Sequence, residues 1–251
     1  RRINMKLKKS KYLLAALLMA TSIGATACSQ KQEAKPEAKQ EETKPAEVQA
    51  MKGEDLAKIE ADKKQKENYL VVDVRAAEEY KAGHIKFAIN MPIDSFEKDY
   101  KKIESFKDKD VVLYCNSGKK SGKAAEILVN NGFTKVYNAD GVKQFKYDLV
   151  TFTNLMGADF EKDIADGKAG LVIDARDEKD FKDKTFKDAV NIGPDSFEAN
   201  KDKLPKDKNT AIYVFCYSGN KSATVAGELT KLGYTNVFNA LDGSKEYAFK
   251  F

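Results

Sequence analysis

The sequence is poor in the residues that most often hold metals, and it lacks tryptophan altogether. His84 is its only histidine, and its cysteines number three: Cys28, Cys115 and Cys216. Zinc and related ions are usually held by three or four histidine, cysteine or carboxylate ligands. A metal site built from histidines is therefore excluded, and we expect neither a metal nor another cofactor.

Long apolar runs are also missing. The longest covers residues 12–20, which is too short to span a bilayer comfortably. The formal charge of +5 comes from the start of the chain, because residues 1–27 hold six basic and no acidic residues. The rest carries 38 basic and 39 acidic residues, so the basic balance gives no support to a nucleic-acid partner, and none is expected.

Residues 1–27 have the pattern of a signal peptide. Basic residues precede the apolar run, and Ala25-Thr26-Ala27 provides a small-residue cleavage site. Cys28 follows that site directly, as in a bacterial lipobox, so we expect it to be lipidated and to anchor an extracytoplasmic protein to the cell membrane. The alternative is an ordinary signal peptidase, which leaves a free Cys28 on a secreted or periplasmic soluble protein. Residues 28–50, rich in Lys, Glu and Pro, predict a flexible tether.

The chain repeats itself at an offset of 101 residues. At this offset Asp73-Val74-Arg75 aligns with Asp174-Ala175-Arg176, and Cys115 aligns with Cys216. A period near a hundred residues is far longer than that of solenoid repeats. It predicts two copies of one domain, in residues 51–150 and 151–251.

Each copy alternates short apolar runs with segments of helical periodicity. "YLVVDV" and "VVLYC" in the first copy, and "GLVIDA" and "IYVFC" in the second, are typical of buried strands. "SGKAAEILVNNG" and "SATVAGELTKLG" have apolar residues at helical spacing and end at a glycine. This alternation predicts an α/β fold with a parallel sheet covered on both faces. Ligands of such sheets bind beyond the carboxyl ends of the strands, where Cys115 and Cys216 lie.

Each of these cysteines opens a short polar loop that leads into a helix. The loop residues are Asn116, Ser117, Gly118, Lys119, Lys120 and Ser121 after Cys115, and Tyr217, Ser218, Gly219, Asn220, Lys221 and Ser222 after Cys216. Such a loop directs backbone N–H groups and the positive end of a helix inward, so it binds anions and favours a thiolate. We therefore predict a nucleophilic cysteine at the base of an anion-binding loop in each copy. The alternatives are two inert buried cysteines, or a disulfide, which requires the two loops to face each other closely.

The residues around these loops resemble a rhodanese domain in both copies. The resemblance rests on Asp73-Val74-Arg75, "EEYKAGHIKFAINMP", "YCNSGKKS" and "NNGFTKVYNADG" in the first copy, and on "IDAR", "AVNIG", "CYSGNKS" and "LGYTNVFNALDG" in the second. It implies two tandem domains, each with a five-stranded, mainly parallel sheet flanked by helices. It also implies a sulfurtransferase, whose cysteine takes a sulfane sulfur from a small anionic donor such as thiosulfate. The resulting persulfide passes that sulfur to cyanide or to a thiol, including a protein thiol.

A non-catalytic module that binds an anion or a partner protein is the main alternative. A cysteine-dependent phosphatase is disfavoured, because such loops carry an arginine six residues after the cysteine, and here that residue is Ser121 or Ser222. Both loops have lysine where rhodaneses usually have arginine, five residues after the cysteine. The first loop adds Lys119 where the second has Asn220, which predicts that the Cys115 loop attracts a doubly charged donor more strongly.

Four charged residues at the ends of core strands are predicted to support the loops rather than to react. They are Asp73, Arg75, Asp174 and Arg176. We expect them to form internal ion pairs or hydrogen bonds that brace the loops. His84 has Thr185 as its counterpart, which excludes a Cys–His pair common to both copies and favours a structural role for His84.

Overall fold

Residues 47–251 are the part of the chain that the structure, a computed structural model, describes. They form two successive α/β units that correspond to the two sequence repeats. The first unit contains β1 (Gln49–Met51), α1 (Gly53–Ala61), β2 (Tyr69–Asp73), α2 (Ala77–Ala82), β3 (His84–Ile85), β4 (Ala88–Asn90), α3 (Ile93–Asp99), β5 (Asp110–Tyr114), α4 (Lys119–Asn130), β6 (Lys135–Ala139) and β7 (Leu149–Val150). The second contains β8 (Thr153–Leu155), α5 (Gly157–Ala165), β9 (Leu171–Asp174), α6 (Glu178–Asp183), β10 (Val190–Asn191), β11 (Ile212–Phe215), α7 (Asn220–Lys231) and β12 (Val237–Ala240). Short 3₁₀ segments lie at Gln65–Asn68, Tyr100–Phe106, Pro194–Ser196 and Glu198–Lys203.

The two units have the same sheet topology. The first sheet runs β1-β6-β5-β2-β4 and the second runs β8-β12-β11-β9-β10. Every pair of neighbours within these two sheets is parallel. The predicted fold, two α/β domains with five-stranded parallel sheets flanked by helices, is therefore confirmed.

The central strands are buried on both faces, which explains their nearly continuous apolar sequence. All four residues of β11 are buried, and so are the last four of β5. α4 buries Ala124, Ala125 and Leu128 at helical spacing, and α7 buries the matching positions. Three of these positions are alanine (Ala124, Ala125 and Ala226), which leaves little bulk between helix and sheet.

The start of the first domain differs from the prediction. Gln49 and Ala50, which the composition assigned to the tether, belong to β1 and pair with β6. A strand at a sheet edge is held by backbone hydrogen bonds, which require no apolar side chains, so composition did not reveal it. The predicted signal peptide, Cys28 and the tether up to residue 46 lie outside the described residues. No helix in residues 47–251 is long and apolar enough to cross a bilayer.

The two units meet at the edge strands β4 and β8. Asn154, in β8, donates from its side-chain amide to the carbonyls of Lys86 and Ala88, both at 2.9 Å. Its backbone N–H donates to the hydroxyl of Tyr80 at 3.1 Å. Buried hydrogen bonds therefore join the two units at this edge, besides the apolar contacts of Phe152 in the short link between them.

His84 lies in this junction and is fully buried. Its ring stacks on Tyr80 with centroids 3.6 Å apart, and its Nδ1 lies 2.9 Å from the Tyr80 carbonyl. Because a carbonyl only accepts, Nδ1 carries the proton. Burial lowers the pKa of His84 to about 4, so the ring is neutral near pH 7 and serves packing.

Candidate functional site

The two loop cysteines occupy equivalent places in the two sheets. Cys115 follows β5 directly, and Cys216 follows β11 directly. Both are free thiols, exposed by only 2% and 1%. The structure thus does not join them in a disulfide. Each sulfur lies at the carboxyl end of the central strand, the edge at which parallel sheets bind ligands.

A left-handed glycine shapes each loop. Gly118 precedes α4 and Gly219 precedes α7, and both have a φ of +76°. A residue with a Cβ is strained in this conformation, so glycine lets the chain turn sharply from the strand into the helix. The turn brings the first amides of the helix, with the positive end of its dipole, close to the sulfur.

The Cys115 thiol receives several hydrogen bonds at once. Burial raises the pKa of Cys115, but the Ser121 hydroxyl and the backbone amides of Ser121, Ser117 and Lys120 donate to the sulfur and outweigh burial. The net result is a lowered pKa of Cys115. Since the thiolate is the nucleophilic form of cysteine, this loop favours reaction at the sulfur.

A serine hydroxyl faces the sulfur in both copies. Ser121 Oγ lies 3.4 Å from the Cys115 sulfur, and Ser222 Oγ lies 3.3 Å from the Cys216 sulfur. Ser121 also lies 2.7 Å from the side-chain oxygen of Asn138. A hydroxyl has a single hydrogen to donate, so in the first copy Asn138 competes with the sulfur for it. For Ser222 the sulfur of Cys216 is the acceptor that the structure shows.

The outer side of each loop is fixed by a neighbouring turn. The amides of Val142 and Lys143 donate to the carbonyls of Cys115 and Asn116, both at 3.0 Å, and Ser244 and Lys245 do the same for the second loop. Gly141 makes this approach feasible, because a Cβ there would lie 2.3 Å from the Asn116 backbone. Gly243 is in the same situation in the second copy. Residues 142–145 and 244–247 form these turns.

The residue after each cysteine is held by an acidic partner that the sequence reasoning missed. Asn116 donates from its side chain to Glu79 at 2.7 Å, and the Tyr217 hydroxyl donates to Asp180. Glu79 and Asp180 are themselves related by the offset of 101 residues, so a repeated acidic position was the available signal. These contacts tie the open side of each loop to α2 or α6. This side is called the mouth of the loop and is formed by residues 116–120 in the first copy and 217–221 in the second.

The basic residues at the two mouths differ in their pairing. Lys221 lies 2.5 Å from Asp177 in a half-exposed ion pair. Lys119 and Lys120 are exposed, and no carboxylate of residues 47–251 forms an ion pair with either. Asn220, the counterpart of Lys119, turns toward the backbone of Lys63 in the first unit. The Cys115 mouth therefore carries one lysine more than the Cys216 mouth, and the charge of its Lys120 interacts with Glu79 without a direct ion pair between described residues.

The four supporting residues form two buried ion pairs. Arg75 Nη2 lies 2.6 Å from Asp73, and Arg176 Nη2 lies 2.7 Å from Asp174. Both carboxylates have further donors: the Tyr114 hydroxyl at 2.7 Å from Asp73, and the Thr185 hydroxyl at 2.9 Å from Asp174. These side chains hold the ends of β2 and β9 and contact neither sulfur. Within residues 47–251, no group of three or more His, Cys, Asp or Glu side chains could hold a metal ion.

The duplicated fold with a cysteine loop after its central strand is that of rhodanese-like proteins. A model of the rhodanese-like domain matches residues 55–145 and 157–250. The two matches cover more than half of the chain, so the protein belongs to the rhodanese-like family.

Several relatives match a segment no longer than one copy. Thiosulfate sulfurtransferase PspE of Escherichia coli (strain K12) is 40% identical over 72 residues, which are 29% of this chain and 69% of that protein. A tRNA uridine(34) hydroxylase of Photorhabdus laumondii is 37% identical over 76 residues, which are 29% of this chain but only 22% of that protein. Among solved structures, a rhodanese with anions from E. coli has 36% identity and a TM-score of 0.31, over 33% of this chain and 96% of that one.

Replacing Ser121 by alanine tests how the Cys115 thiolate is stabilised. The variant loses the hydroxyl but keeps the three backbone amides, so the pKa of Cys115 should rise. At a pH below the midpoint of its profile, alkylation of Cys115 by iodoacetamide should slow roughly tenfold, since a hydrogen bond to a charged group contributes about 1.5 to 3 kcal/mol. The rate is followed against pH by peptide mass spectrometry. Cys216 in the same molecule is the control, and an unchanged Cys115 profile would refute the role of the hydroxyl.

Proposed function

We propose that this protein is a sulfurtransferase that carries sulfane sulfur on Cys115 and Cys216. In the first step the thiolate attacks the outer sulfur of a donor such as thiosulfate. A bond forms between Sγ and that sulfur, the S–S bond of thiosulfate breaks, and sulfite leaves with the electron pair. The product is a cysteine persulfide, which is a covalent intermediate.

In the second step an acceptor thiolate or cyanide attacks the outer sulfur of the persulfide. The bond to Sγ breaks, the cysteine returns to its thiolate form, and the acceptor leaves as a persulfide or as thiocyanate. The electrons balance over the two steps, so the cycle requires no oxidant, reductant or metal. The amides around the sulfur serve both states, because thiolate and persulfide each carry negative charge.

The observation that carries this proposal is the position of Cys115 at the carboxyl end of β5, with α4 beginning at Lys119 and the Ser121 hydroxyl 3.4 Å from the sulfur. A cysteine that only filled the core would have a raised pKa, because burial disfavours the charged form. Here the Ser121 hydroxyl and three amides reverse that effect. Neither loop contains an arginine, which would be expected for a clamp that holds a phosphate in two-point contact. Both points favour sulfur transfer over an inert cysteine and over a phosphatase.

Treatment with thiosulfate followed by intact mass measurement tests the proposal. In a Cys28→Ser background, the chain should gain two sulfur atoms that cyanide removes. Cys115→Ser and Cys216→Ser should each gain one, and the double variant none. No mass gain, with retained binding of thiosulfate, would instead identify a non-catalytic anion-binding module.

The unequal mouths predict unequal donor affinity. In a Cys115→Ser background, Asp177→Asn frees Lys221 from its ion pair and should lower the KM for thiosulfate roughly twofold to fivefold, since exposed ion pairs contribute about 0.2 to 1 kcal/mol. Glu178→Gln is the matched control, because Glu178 pairs with Lys182 on the same helix and does not contact Lys221. Equal KM changes in the two variants would show that only net charge matters.

We also propose export and lipid anchoring through Cys28. The support is the sequence pattern of residues 1–28, and the tether behind it would hold the folded units away from the membrane. Globomycin, which inhibits the lipoprotein signal peptidase, should leave a larger precursor in the producing cell. Normal maturation under that treatment would favour the free Cys28 of a secreted or periplasmic protein.

A further inference from the structure

A buried lysine of the first unit contacts the cysteine loop of the second. Lys66 lies in the 3₁₀ segment Gln65–Asn68 and is only 5% exposed. Its Nζ donates to the carbonyl of Ser218 at 2.7 Å and to that of Leu241 at 2.9 Å. No carboxylate of residues 47–251 forms an ion pair with it. The second domain therefore accommodates a positive charge that belongs to the first.

The contact completes the hydrogen bonding on the outside of the Cys216 loop. The carbonyls of Cys216 and Tyr217 accept the amides of Ser244 and Lys245, both at 2.9 Å. Ser218 provides the next carbonyl along the chain, and Lys66 is its donor. Three successive carbonyls are thus held on one side of the loop, which restricts how the peptide units of the loop can rotate.

The first copy braces its loop by a different route. There Asn138 donates from its side-chain amide to the carbonyl of Gly118 at 3.1 Å. The equivalent residue Asn239 instead donates to Asn154 at 2.8 Å. The second copy lacks this internal brace at Gly219, the counterpart of Gly118, and Lys66 instead holds the carbonyl one residue earlier, that of Ser218.

The sequence shows that the lysine contact has no counterpart in the first copy. At the offset of 101 residues, Lys66 corresponds to Gly167. Leu241 is an extra residue of the second copy, which reads Ala240-Leu241-Asp242 where the first reads Ala139-Asp140. One partner of Lys66 thus exists only in the second copy.

The charge of Lys66 also acts on the sulfur. Burial lowers the pKa of Lys66, while attraction to Glu246, Cys216, Glu67 and Glu60 opposes that effect. Lys66 is thus close enough to Cys216 for the two charges to interact. A low-polarity surrounding screens such an interaction much less than bulk water does.

We propose that Lys66 is a positioning residue for Cys216. It holds the Cys216 loop through Ser218 and Leu241 and supplies positive charge behind it, so the reactivity of Cys216 depends on the first domain. A role of Lys66 in catalysis rests on the proposed function, because it requires that Cys216 transfers sulfur. We do not expect the reactivity of Cys115 to depend on the second domain, because Asn138 of the first domain holds the Cys115 loop.

The test uses the full chain and measures alkylation of both cysteines against pH. In Lys66→Met, the pH midpoint for Cys216 should rise, and below the wild-type midpoint its alkylation should slow roughly threefold to tenfold. Lys66→Gln keeps a donor but loses the charge, and it should shift Cys216 in the same direction. Cys115 should keep its profile in both variants. Lys64→Met is the control, because Lys64 is exposed and lies two residues away.

Two results would overturn the proposal. One is an unchanged dependence of Cys216 alkylation on pH in both Lys66 variants. That result would show that Lys66 only contributes to the contact between the two units. The other is an equal shift at Cys115 and Cys216, which would indicate general loosening of the fold. Alkylation does not depend on sulfur transfer, so a wild-type protein that fails to accept sulfur from thiosulfate refutes the proposed function alone.

Discussion

Each candidate site depends on how the backbone around one sulfur is held, because the amides of a neighbouring turn fix the carbonyls of the cysteine and of the residue after it. The parallel sheet ends at the cysteine, a left-handed glycine turns the chain into a helix, and a neighbouring turn takes the outward carbonyls. Gly141 and Gly243 belong to this arrangement, since only a residue without a Cβ lets that turn approach the loop. The buried Asp–Arg pairs keep the adjacent strand ends in place. At Cys115 burial alone would raise the pKa of the thiol, and the hydroxyl and amide donors of this framework lower it.

The two copies retain this framework and differ in what surrounds it. The first has Lys119 and Lys120 at its mouth and a brace from its own Asn138. The second pairs its mouth lysine with Asp177 and receives its brace from Lys66 of the first. The junction at β4 and β8, with hydrogen bonds from Asn154, joins the two units.

Much of this could be predicted from the sequence because the determinants are local or repeated. Strands that end in Cys115 and Cys216, and helices that begin two residues after Ser117 and Ser218, follow from apolar periodicity and from the offset of 101 residues. The role of Lys66 could not be predicted, since its counterpart is Gly167 and its acceptors are 152 and 175 residues away. Glu79 and Asp180 were detectable in principle from their repeated position, but their partners depend on how α2 and α6 pack. β1 was missed because backbone pairing, rather than side-chain character, forms it.

The most direct test of the anion-stabilising loop is a crystal structure of the thiosulfate-treated protein. An extra sulfur atom should be bonded to Sγ of Cys115, and it should lie among the amides of Ser117, Lys120 and Ser121. The equivalent atom is expected on Cys216. An unmodified Sγ beside intact thiosulfate, or loop amides that point away from the sulfur, would contradict a persulfide-forming site.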